Sequence, residues 1–124
     1  SRILDALNES QKSVKGSKIL AVGVAYKRDT NDVRESPAVE VLEGLHRKGA
    51  QVAYTDPYIP EIKVDGHTYA SIHCDPEVLR SVDCVVILTD HSAFDYSMIA
   101  AHSPVIVDCR NALKDFPQPN ILSL

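Results

Sequence analysis

No apolar run in this chain of 124 residues approaches the ~20 residues needed to cross a bilayer, which excludes a membrane-spanning helix and a membrane partner. The opening Ser1-Arg2-Ile3-Leu4-Asp5 lacks the basic and apolar regions of a secretory signal, so a cytoplasmic location is expected. Positive charge is scarce too. Thirteen Lys and Arg against 17 Asp and Glu leave a formal charge of -4, and a nucleic-acid partner is not expected without a basic surface to release phosphate counterions. Three cysteines at irregular spacing, Cys74, Cys84 and Cys109, make no disulfide framework and read as reduced thiols. Five glycines and seven prolines punctuate an α/β chain but are too few for low complexity, and there is no internal repeat. What is present, 44% hydrophobic and 24% charged residues, is the balance of one folded domain. At this size about two thirds of the unfolded surface can be buried, so folding needs neither disulfide nor metal.

Ser1 to Gln11 places Ile3, Leu4, Ala6 and Leu7 on one side of a helical pattern with no capping residue before it, which predicts the end of a longer helix. Lys12 to Ser17 reads as a polar linker. Ile19-Leu20-Ala21-Val22 is a continuous apolar run ending at Gly23, as in a parallel strand buried on both faces. Ser36-Pro37 supplies an N-cap and a first helical residue; Ala38, Val41, Leu42 and Leu45 follow at helical spacing, and Lys48-Gly49 closes the helix. Gln51 to Thr55 reads as a strand stopped by Asp56-Pro57. Tyr58 to Asp75 is the least periodic stretch, with at most a short strand near Tyr69 to Ile72. Pro76 to Ser81 predicts a short helix, Cys84 to Leu88 a buried strand, Tyr96 to Ala101 a helix and Pro104 to Val107 a last strand. This alternation predicts an α/β fold, a Rossmann-like, doubly wound, three-layer parallel sheet with right-handed crossovers, preceded by the end of a long helix.

Ligands of such sheets bind outside the carboxyl ends of the strands. Ala25 to Ser36 therefore matters first: Lys27, Arg28 and Arg34 stand ahead of a helix N-terminus, a combination that attracts phosphate, although Asp29 and Asp32 temper it. A solvated loop with self-paired charges is an equal reading of that spacing. Gly23 stands alone where the dinucleotide fingerprint needs three glycines, so a self-sufficient NAD site is not expected. Asp56 reads as the cap of the Asp-Pro turn. Arg110 is either an anion clamp or the partner of Asp108 or of a helix end. His67, His73 and Cys74 fit no common zinc pattern, and no metal is expected. His91 reads as a hydrogen-bonded loop residue, and all three cysteines read as structural.

The run Gly23-Val24-Ala25-Tyr26-Lys27-Arg28-Asp29-Thr30-Asn31-Asp32-Val33-Arg34-Glu35-Ser36-Pro37 strongly resembles the signature opening the C-terminal domain of the UDP-glucose/GDP-mannose dehydrogenase family. The likeness continues through Gly49-Ala50, Tyr54 to Pro57, Thr89 to Phe94 and Asp108 to Asn111, and its wording looks most like the bacterial UDP-N-acetylhexosamine 6-dehydrogenases. The resemblance implies that residues 1–16 are the end of a central dimerisation helix and a linker, and 17–124 a C-terminal UDP-sugar-binding domain. It implies an NAD-dependent oxidation of a UDP-sugar's C6 hydroxyl to a carboxylate in two steps, in a homodimeric full-length enzyme. The catalytic cysteine and the NAD fingerprint belong to segments absent here, so this chain is expected to hold no catalytic residue and to be inactive alone. By the same resemblance Tyr26, Lys27 and Arg110 contact the nucleotide sugar, and Arg34 reaches NAD bound mainly by the missing N-terminal domain. Tyrosine at 26 and cysteine at 109 depart from the commoner phenylalanine and glycine. A stand-alone nucleotide-binding or regulatory module is the alternative; a response-regulator-like domain fails because Gly23-Val24-Ala25 stands where its acidic cluster would be.

Overall fold

The computed structural model describes residues 13–34 and 36–123; the helix expected over Ser1 to Gln11 lies outside them. Five strands, β1 (Lys18–Val22), β2 (Gln51–Thr55), β5 (Cys84–Ile87), β6 (Ile106–Asp108) and β7 (Ile121–Ser123), form one sheet in the order β2-β1-β5-β6-β7. Every neighbouring pair is parallel. A separate antiparallel pair, β3 (Glu61–Val64) and β4 (His67–Ala70), and three helices, α1 (Pro37–Arg47), α2 (Pro76–Ser81) and α3 (Tyr96–His102), complete the described elements.

The continuous apolar runs become central strands because the sheet is covered on both sides. Successive side chains alternate between faces: Ile19 and Ala21 join one buried cluster with Ala38, Leu42 and Leu45 of α1, and Leu20 and Val22 join the other with Leu79 of α2 and Ile99 of α3. Helices thus lie on both sides, and the three-layer reading holds.

Helix α1 starts where expected. The Ser36 hydroxyl oxygen accepts from Ala38 N–H at 3.2 Å and its O–H donates to the Val24 carbonyl at 2.8 Å. One side chain therefore caps the helix and ties it to the end of β1. Asp75 caps α2 and Asp95 caps α3, each accepting from the N–H three residues on.

The irregular stretch after β2 is more ordered than the sequence suggested. Asp65 and Gly66, with φ of 50° and 81°, join β3 to β4 through a two-residue turn in which both residues take positive φ, the geometry Asp-Gly favours in hairpins. Ile62 and Val64 alternate inward and pack in the cluster that holds α1. His46 and Arg47, at the end of α1, both reach the Asp65 carboxylate, so the hairpin tip is pinned to the helix. The short strand placed near Tyr69 to Ile72 is corrected to His67–Ala70. The strand placed at Pro104 to Val107 runs instead over Ile106–Asp108, and the sheet has a further edge strand, β7, beyond it.

Candidate functional site

Three segments leave the carboxyl ends of β1, β5 and β6 side by side, and their polar groups interlock. The Thr89 hydroxyl donates to the Ala25 carbonyl at 2.7 Å. Arg28 donates from Nε and Nη2 to one oxygen of Asp90, and this hydrogen bond, then the charge of Asp90, holds the guanidinium pKa above its ordinary value. The Asp29 carboxylate accepts from the Ser92 N–H at 2.8 Å and from its hydroxyl at 2.7 Å, which holds the Asp29 pKa below the usual range. Residue by residue, the loop after β1 is zipped to the loop after β5.

Two buried carboxylates organise the backbone beneath that zip. Asp56 accepts from Tyr58 N–H at Oδ1, as the turn-capping reading expects. Its Oδ2 also accepts from Val24 N–H at 2.9 Å, Ala25 N–H at 3.2 Å and His91 Nε2 at 2.9 Å. Four donors satisfy a carboxylate that is only 2% exposed, which is what permits its burial. Asp108 plays the same part after β6, accepting from the N–H groups of Arg110, Ala112 and Leu113.

Arg110 is therefore not the side-chain partner of Asp108. Its Nε donates to the Leu88 carbonyl at 2.9 Å, which turns the guanidinium along the sheet edge. Beside it opens a cleft of about 360 Å³ lined by Arg28, Asp90, Ser92, Tyr96, Arg110, Asn111, Ala112 and Lys114. Three cations, Arg28, Arg110 and Lys114, thus share one rim with the Asp90 carboxylate that pairs with Arg28. Asp29 and Asn111, at φ of 57° and 59°, flank the cleft, and non-glycine residues in the left-handed region cost energy that the surrounding hydrogen bonds must offset.

Of the residues singled out in the sequence, the cleft contains Arg28, Arg110 and Asn111 but not Tyr26, Lys27 or Arg34. Tyr26 and Lys27 precede Arg28 on the same loop and are exposed. Arg34 lies further along that loop with its side chain 87% exposed, and it donates to both oxygens of Asp32. Asp90 and Ser92 fall in the Thr89 to Phe94 stretch that the resemblance covers, whereas Tyr96 and Lys114 were missed, since no short-range pattern joins them to Arg28 or Arg110. His91 is a hydrogen-bonded loop residue as read. None of the three cysteines is activated: burial pushes the Cys84 thiol up to about 12 and the Cys74 thiol up to about 11, and burial, then Asp108, raises that of Cys109 against the opposing charge of Arg110. No group of metal-ligating side chains occurs among the described residues.

Gly23 lies at the crevice between β1 and β5, where the chain order reverses, the point at which Rossmann domains seat a pyrophosphate. A Cβ on Gly23 would lie 2.6 Å from the Thr89 Cβ and closer still to the Thr89 carbonyl oxygen. Gly23 thus packs directly against Thr89 of the loop after β5.

An open parallel sheet with its polar groups gathered beyond its carboxyl ends defines a Rossmann-like α/β domain. Its lineage is narrower. The chain belongs to the UDP-glucose/GDP-mannose dehydrogenase family, whose UDP binding domain matches residues 20–115. A UDP-glucose 6-dehydrogenase of Rickettsia bellii is 33% identical over 115 residues, covering 83% of this chain and 26% of that protein. A UDP-N-acetyl-D-mannosamine dehydrogenase of Methanococcus maripaludis is 36% identical over 92 residues, covering 74% and 20%. The solved UDP-D-ManNAc dehydrogenase of Pyrococcus horikoshii superposes with a TM-score of 0.77 at 25% identity, over 98% of this chain and 28% of that one. This chain thus spans about a quarter of the length of such relatives. No described helix is long and apolar enough to cross a membrane.

Proposed function

We propose that this chain is the domain that holds the nucleotide sugar in an NAD-dependent UDP-sugar 6-dehydrogenase, and that it is inactive alone. The observation carrying the reading is the cleft in which Arg28, Arg110 and Lys114 converge at the carboxyl edge, within the stretch matched to the family's UDP binding domain. Fixed guanidinium groups there orient a diphosphate by charge-assisted hydrogen bonds. Tyr26 and Lys27 extend the same surface toward the sugar. Exposed Arg34 reaches across to NAD, whose own site lies in residues beyond this chain. Residues 17–124 form the UDP-sugar-binding domain and residues 1–16 lead into it, in a full enzyme that is a homodimer in the cytoplasm.

The relatives' names give dehydrogenases of UDP-sugars, and the reaction proposed here is oxidation of the sugar's C6 hydroxyl to a carboxylate in two NAD-dependent steps. No residue of this chain makes or breaks those bonds. Its contribution is to hold the phosphates still while the other segments act.

Calorimetric titration of the chain with UDP, uridine and free glucose tests the reading. UDP should bind, with affinity falling as salt rises, and uridine and glucose should not. Equal, negligible heats for all three would remove the nucleotide-sugar assignment, and NADH production by this chain alone would remove its role as a non-catalytic domain.

A further inference from the structure

His91 is fully buried although it sits in a loop at the rim of the cleft, and both of its ring nitrogens are committed. The backbone N–H of Asp29 donates to Nδ1 at 2.8 Å, which requires a lone pair there. The proton is then on Nε2, which lies 2.9 Å from Asp56 Oδ2 and donates to it. One imidazole, in one tautomer, bridges the loop after β1 to the end of β2. Its ring is packed edge-on by Tyr58 at 4.8 Å and lies 5.5 Å from Phe94, and its carbonyl accepts from the Tyr96 hydroxyl at 2.6 Å.

The residue held by Nδ1, Asp29, is in the left-handed region, with φ of 57°, and it directly follows Arg28. Conformations of that kind persist only where the surroundings over-determine them. Here the backbone N–H goes to His91 while the carboxylate goes to Ser92. Removing the first leaves the turn held through side chains, Asp29 by Ser92 and Arg28 by Asp90, and the backbone from which Arg28 projects loses its anchor.

We propose that His91 is a positioning residue for the anion site: its Nδ1 lone pair fixes the turn that presents Arg28, and with it Lys27, to the nucleotide. The proposal rests on the reading of the cleft as a nucleotide-sugar site. It does not make His91 an acid or a base.

Two substitutions separate its two bonds. His91→Asn can place a carbonyl oxygen where Nδ1 stands, keeping an acceptor for Asp29 N–H and giving up the Nε2 bond. His91→Gln can place an amide N–H toward Asp56 and gives up the acceptor. The full 124-residue chain and both variants are titrated calorimetrically with UDP, with melting temperatures measured alongside. His91→Asn should stay within about threefold of the parent affinity while His91→Gln loses about tenfold, the scale of one hydrogen bond, whichever variant melts lower.

Equal losses that track the melting temperatures would overturn the positioning role and leave the nucleotide-sugar reading intact. Absence of UDP binding by the parent chain would overturn that reading and the proposal with it. Nitrogen-15 spectra of the parent's imidazole decide the matter even if a variant fails to fold: an unprotonated Nδ1 and a protonated Nε2 are expected, and the opposite tautomer sinks the proposal.

Discussion

Gly23 and Thr89 approach so closely that a methyl group on the glycine would stand 2.6 Å from the threonine Cβ, with Gly23 held at φ of 81°. The glycine that follows β1 is needed for close packing against the loop after β5. Gly23→Ala combines a disfavoured backbone angle with overpacking against main chain and should cost about 2–4 kcal/mol. Gly44→Ala, at a helical position with nothing within 4 Å, should instead stabilise by roughly 0.4–1 kcal/mol. Urea unfolding of the two variants measures both, and a Gly23→Ala protein as stable as the parent would contradict the packing role.

Arg110 uses Nε for the Leu88 carbonyl and keeps the far end of its fork for the cleft. Lysine has one nitrogen and must choose. In the full enzyme Arg110→Lys should lower kcat/KM for the UDP-sugar by about tenfold or more with little change in Tm. Unchanged kinetics with a lowered Tm would make Arg110 a structural residue.

Lys27 and Arg34 should part company in kinetics. Lys27→Ala is expected to raise KM for the UDP-sugar by an amount corresponding to roughly 1.5–3 kcal/mol, and Arg34→Ala to act on KM for NAD. If neither constant moved in either variant, the loop would be an ordinary charged surface whose arginine serves Asp32.

Acid stability should depend on the hairpin tip. The hydrogen bond with His46, then that with Arg47, hold the Asp65 carboxyl below its ordinary value of 3.8. A depressed folded-state pKa contributes stability that is complete above the unfolded value and lost as pH falls through the folded one. Asp65→Asn, which tolerates the positive φ there, should be less stable than the parent at pH 7, and the gap should close below about pH 4. A gap that stayed constant from pH 7 to pH 3 would exclude the ionic contribution.

Cys84 is fully buried, with its thiol pushed up to about 12 by burial and then by Asp83. Iodoacetamide at neutral pH should leave it unmodified in the folded protein and label it in urea, because the thiolate is the nucleophile. Rapid labelling of Cys84 under native conditions would show that β5 opens.

The elements that short-range pattern could reveal were those whose signals are local: the Ser36-Pro37 cap of α1, the bounds of α2 at Pro76 and Ser81, and the apolar runs of β1 and β5. The hairpin was missed although Asp65-Gly66 is its signature, because Glu61 to Val64 is half charged and β4 packs little of itself. Strand β7 has three residues, too few for any period. For the site, the loop bearing Arg28 was legible, but its partner Asp90 lies 62 positions away, and spacing along a chain cannot pair such residues. Asp56 was read as a local cap and is one, yet its larger role, toward Val24, Ala25 and His91, exists only once three strands stand side by side.

Strand β1 sits with Val22 opposite Thr55 on one flank and opposite Ile87 on the other. The second of these partners arrives only after α1, the hairpin and α2 have been traversed. Pairing of that separation is entropically slow to form. While β5 is undocked, the apolar Ile19 to Val22 of β1 offers an unpaired edge to any other copy. The same adjacency that places Arg28 beside Asp90 therefore sets the refolding behaviour: yield should fall as protein concentration rises, and substitutions within Cys84 to Ile87 should slow folding more than equally destabilising ones in β2.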